Sequence, residues 1–163
     1  MMTRLFRSIR ALFVLGALLF ATAAAAAPLA PGAAFPLLKL EDQHGKVLAV
    51  PAGTRVVLFA ADKAASDLAN ALLAAQPDGV LDRLQAVYLA DISAMPALVT
   101  RMFALPALRA LPFRVGLARD ASLLADVPRQ RGAVSVIRLA EGRVDQIEFA
   151  SNDAQLGSAL GLR

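Results

Sequence analysis

The sequence predicts an α/β domain, a three-layer sandwich with a mixed sheet of about five strands, an N-terminal β-hairpin and helices on both faces. Three observations lead there. Arg55 to Gln76, RVVLFAADKAASDLANALLAAQ, passes from an apolar run without polar alternation into helical spacing, as a buried strand feeding an amphipathic helix does. Gln85 to Ile92, QAVYLADI, repeats the apolar run and precedes a second helical pattern. AVSVIRLA and RVDQIEFA, joined by Glu141-Gly142, read as a closing β-hairpin. Strands alternating with helices imply right-handed crossovers that carry the helices over the sheet.

The first residues read as an export signal rather than part of the fold. Arg4, Arg7 and Arg10 form a positive segment, Ala11 to Phe20 an apolar one, and Ala21 to Ala27 a small-residue tract with A-x-A sites. The expectation is a signal peptide over 1–26, a single domain over 27–163, and a periplasmic location without stable membrane insertion after cleavage. The alternative is an uncleaved anchor, for which Ala11 to Ala27 is at the short limit of a bilayer span. Loss of the three arginines takes 17 basic residues to 14 against 13 acidic ones, a balance that by itself supports no nucleic-acid or membrane partner. With no cysteine in the chain, stability comes from packing and every thiol mechanism is excluded.

Pro28 to Ala34 is an extended Pro/Gly/Ala arm. Phe35 to Leu40 and Val47 to Val50 form a hairpin around Glu41 to Lys46, with Pro36 confined to the strand start or a sheet edge and His44, the single histidine, at the tip. In the helix after Ala61, Ala65, Leu68, Ala69, Leu72 and Leu73 share one face and Lys63, Asp67 and Asn70 the other, and Pro77-Asp78-Gly79 ends it. Ser93 is the expected N-cap of the second helix. Its stripe of Met95, Leu98, Val99, Met102 and Phe103 is expected to face the core, the alternative being an adaptable binding groove, and Pro106 to stop or kink it. Phe113 to Arg119 is read as an edge strand with Arg114 and Gly116 outward, and Asp120 to Val127 as a loop or short helix. Asn152 and Gln155 open a final helix through a capping box.

This order, with FPLLKLEDQHGKVLAV, RVVLFAADKAASD, FRVGLARDASLLADVP and AVSVIRLAEGRVDQIEF, resembles the thioredoxin-like superfamily in its peroxiredoxin form over nearly the whole domain. Active members place a thiol five residues after a Phe, in Phe-Trp-Ala-x-x-Cys-x-x-Cys. With Phe59 as that Phe, the two thiol positions fall on Ala64 and Asp67, and Gly132-Ala133 stands where the family has its cis-proline. The chain is therefore most similar to a cysteine-free exported branch of YtfJ-type and related proteobacterial proteins, through QAVYLADISAMPALVTRMFALPALR. Some members of that group carry a flavin-dehydrogenase label. No G-x-G-x-x-G follows a strand here, and there is little room for a dinucleotide domain.

The resemblance implies a redox-inactive domain that binds an envelope protein or a small ligand at the former active-site surface, without thiol oxidoreductase or peroxidase activity and without a cofactor. Asp62, Lys63, Ser66 and Arg131 are the polar candidates there. The bland alternative is that Asp62 only caps the helix and the others are solvated. The alternative function is an enzyme of unknown chemistry. Ser66 would need a base, and His44 lies in a distant hairpin. One histidine and no carboxylate cluster at helical spacing give no metal site.

Overall fold

The computed structural model describes residues 28–162, so the expected signal peptide lies outside the described residues. The strands are β1 (Lys39–Asp42), β2 (Val47–Ala49), β3 (Val56–Ala60), β4 (Ala86–Asp91), β5 (Gly116–Ala118), β6 (Val134–Ala140) and β7 (Arg143–Ala150). They form one mixed sheet in the order β2-β1-β5-β4-β3-β6-β7. β3, β4 and β5 run parallel and the other ladders are antiparallel. The α/β architecture with an N-terminal hairpin is as the sequence predicts. Its sheet, however, has seven strands rather than about five, because the hairpin joins through β1 and β5 instead of standing apart.

β3 is central, and all five of its residues are buried. Its alternate side chains feed two cores. Val56, Leu58 and Ala60 face the one covered by α1 (Lys63–Ala74), α2 (Val80–Arg83) and α5 (Asp153–Leu160). Val57 and Phe59 face the other, closed by the 3₁₀ turn Ala121–Leu124 and by Phe35 of the N-terminal arm. The α-helices named share one face, and the 3₁₀ helix lies on the other. The order β3, β4, β5 explains this, because successive right-handed crossovers that advance in one direction along a sheet return on the same side.

Three local expectations are corrected. The Phe113 to Arg119 strand is interior, with β5 between β1 and β4, and Gly116 is buried rather than outward. A Cβ on Gly116 would lie 2.9 Å from a Leu89 methyl and 3.2 Å from one of Leu48, so only glycine lets these side chains close over the strand. Ser93 does not cap the second helix. It bonds back to Asp91, and helicity begins after Pro96 with α3 (Ala97–Val99), a π-helical segment (Thr100–Ala104) and α4 (Leu105–Arg109). The π-helical turn sits just before Pro106, which has no N–H for the ordinary ladder, so the helix continues across the proline instead of stopping. Finally, the apolar stripe is not core. Leu98, Val99, Met102 and Phe103 are all exposed, and this helix buries Thr100 and Leu108 instead.

Candidate functional site

β3 ends at Ala60, and Asp62 takes an extended conformation that starts α1. Its Oδ1 accepts the Ala65 N–H at 2.9 Å, and its Oδ2 accepts the Gly132 N–H at 2.7 Å. One carboxylate therefore caps the helix and ties it to the turn before β6. The Ala65 and Gly132 N–H groups hold the Asp62 carboxyl below its ordinary pKa against the opposing effect of burial, with a smaller favourable contribution from the Arg131 charge. The helix start that would otherwise attract an anion is thus occupied by the chain's own acid.

Lys63 forms an exposed i,i+4 ion pair with Asp67, worth a few tenths of a kcal/mol. Ser66 Oγ lies 3.2 Å from the hydroxyl of Tyr88, which is fully buried, and Asn70 Nδ2 donates to the same Oγ at 3.5 Å. Burial pushes the Tyr88 phenol up to about 12, so it stays neutral and takes no proton from Ser66 at ordinary pH. Asn70 Oδ1 is buried with no hydrogen-bond partner among the described residues. Arg131 is exposed beside Asp62.

Asp62, Lys63 and Ser66 form part of one wall of a groove of about 300 Å³, and Arg131 stands outside it. The opposite wall is the second helix, through Val99, Phe103 and Ala107, and Ala90 and Asp91 at the end of β4 add to the lining. The lining is mostly apolar. The sequence reading assigned Val99 and Phe103 to the core and Asn70 to the polar face of α1, the first two because the periodicity of a stripe does not say whether it faces core or solvent. Asp91 accepts from Ser93 and from Arg129, whose guanidinium also lies 5.2 Å from the centre of the Phe59 ring. The groove's carboxylates, Asp62, Asp67 and Asp91, therefore all have fixed partners. His44 is in the β1-β2 turn, and among the described residues no base hydrogen-bonds Ser66. Among the described residues no three of His, Asp and Glu converge as metal ligands. What this geometry can do is hold an apolar group, with polar atoms at one rim.

No family model and no curated protein matches the chain. Solved structures do. Peroxidoxin BcpB from Mycobacterium tuberculosis superposes with a TM-score of 0.52 at 14% identity, over 82% of this chain and 95% of that one. The thioredoxin domain of a thiol-disulfide oxidoreductase from Bacteroides vulgatus gives 0.52 at 13%, over 83% and 99%. A thio-disulfide isomerase from Thermus thermophilus gives 0.50 at 20%, over 81% and 95%. At such identities the likeness shows the fold alone, and that fold is thioredoxin-like. These neighbours do not single out the YtfJ-type branch. Those three are named for thiol or peroxide chemistry, while this chain has no cysteine, which fits a redox-inactive domain.

Proposed function

We propose that the protein is an exported, redox-inactive thioredoxin-like domain that acts as a binding or accessory protein in the cell envelope, holding a partner or small ligand in the groove beside the start of α1. The observation that carries this reading is the groove itself. It lies at the position that the family uses for chemistry, it is mainly apolar, and the second helix leaves Val99 and Phe103 uncovered along it. Asp62, Lys63 and Ser66 supply its polar rim, and Arg131 adds positive charge outside it. Export rests on the charged and apolar pattern of residues 1–26. An enzymatic role finds no support in the ion-paired and capped carboxylates or in a Ser66 without a base.

Site-specific photo-crosslinking in living cells tests the binding role. Probes at Asp67 and Ala107, on opposite walls, should give the same crosslinked species, and a probe at the exposed Asp145 of β7 should not. Adducts at Asp145 alone would move the site elsewhere. Export is tested by intact mass, which should show a periplasmic chain beginning at or near Ala27. Full-length chain in a membrane pellet would defeat that part.

A further inference from the structure

Four of the eight large hydrophobic side chains exposed among the described residues fall within six positions of the second helix: Leu98 and Phe103, each about two-thirds exposed, with Val99 and Met102. Such a concentration marks an interaction surface rather than the scattered apolar exposure of ordinary proteins. The ridge separates two hollows. Val99 and Phe103 face the groove already described, and a second hollow of about 260 Å³ on the other flank is lined by Arg101 and Arg119 together with Ser93. Leu98 and Met102 line neither, and stand on the crest between them.

The charge on this segment has one sign. From Ile92 to Arg119 the chain carries Arg101, Arg109, Arg114 and Arg119 and not one acidic residue. Arg114 is bound to Asp42, and Arg119 reaches Glu41 only at 3.8 Å. Arg109 donates to the Gln43 carbonyl and has no carboxylate, and Arg101 has no salt-bridge partner among the described residues. The acids of the adjoining groove, Asp62, Asp67 and Asp91, are already held by backbone N–H groups, Lys63 and Arg129, and Asp120, next in the chain after Arg119, accepts from Ser122. A convex apolar crest flanked by uncompensated arginines complements an anionic, apolar-cored surface that requires no matching shape.

We propose that this ridge docks the protein reversibly onto anionic phospholipid, with Leu98, Met102 and Phe103 entering the headgroup boundary and Arg101 and Arg109 meeting lipid phosphates. A second copy of the chain is a poorer occupant, since self-pairing of the ridge sets arginine against arginine with no carboxylate between. The overall charge balance is silent on this because acids elsewhere on the molecule cancel it; what a membrane meets is the local excess.

The cysteine-free chain allows a clean test. Mature protein beginning at Ala27 with M102C, labelled with an environment-sensitive fluorophore, is mixed with vesicles of equal phosphatidylglycerol and phosphatidylcholine, or of phosphatidylcholine alone, and D145C serves as the distant control. The label at position 102 should shift to the blue with the anionic vesicles and the control should not. Adding R101A and R109A should weaken the partition about tenfold or more. Raising salt from about 0.1 M to 1 M, which cuts the screening length from about 10 to about 3 Å, should weaken it too. Equal shifts at both sites, no shift at position 102, or indifference to the two arginines would overturn the proposal. A blue shift that grows with protein concentration without vesicles would replace it with self-association, and one produced only by an acidic amphipathic peptide would replace it with a protein partner.

Discussion

Gln43 shows how much one side chain in a turn can organise. It is 1% exposed, and its amide donates to the carbonyls of Leu108 and Phe113 while accepting the Val115 N–H, fastening the first hairpin to the segment that enters β5. Gln43→Ala leaves these groups buried and unsatisfied, so stability should fall by about 2–3 kcal/mol in denaturant unfolding; a loss below about 0.5 kcal/mol would mean that water replaces the amide without penalty. Beside it, burial alone would raise the Asp42 carboxyl, but the Lys46 N–H, the Arg114 guanidinium and the His44 N–H together hold it below its ordinary value. Asp62 is lowered as well. A carboxyl whose pKa is lower in the folded state adds stability that is complete above its unfolded pKa, near 4, and is lost as pH falls through the folded one. The unfolding midpoint in urea should therefore drop on acidification below about pH 4, and drop less steeply in Asp62→Asn. Identical slopes for the two proteins would contradict the capping geometry. The sequence signalled Asp62 through its place before a helix, but not Gln43, because a polar residue between Asp42 and His44 in a hairpin turn reads as solvated until a distant segment folds over it.

Elements whose signals are local were legible. β3 and α1 form where an apolar run changes to helical spacing, and α5 begins at Asn152, whose Oδ1 accepts the Gln155 N–H at 2.9 Å. The return carboxamide of that box bonds Ser151 N–H rather than the cap residue itself. Placement within the sheet was less legible, because β5 lies between partners distant in sequence and its glycine looked like an outward position. The second helix misled for a different reason. Its periodicity is sound, but a stripe of the same spacing can face solvent or core, and here it faces solvent. The central role of β3 makes a sharp prediction. Leu58 is fully buried and lies opposite Tyr88 and Val136. Leu58→Asp buries a charge without a partner, so the domain should lose its cooperative melt or fail to accumulate, a cost of several kcal/mol. A melt near that of the parent protein would show that β3 is not central.

For the whole molecule, the fold is thioredoxin-like and carries no thiol, and Asp62 joins the start of α1 to the turn at Gly132. That linkage fixes one wall of the groove, and the π-helical second helix, held by the buried Thr100 and Leu108, fixes the other. The groove is therefore preformed, and the occupant proposed for it would be mainly apolar. The measurement that bears on this most directly is the yield of the Asp67 photo-crosslink in protein carrying Ala107→Trp, where an indole from an exposed position of the helix wall fills the groove without replacing a core side chain. Its thermal melt should match that of the parent protein while the crosslinked species disappears. An undiminished crosslink in a protein with the groove filled would contradict the account.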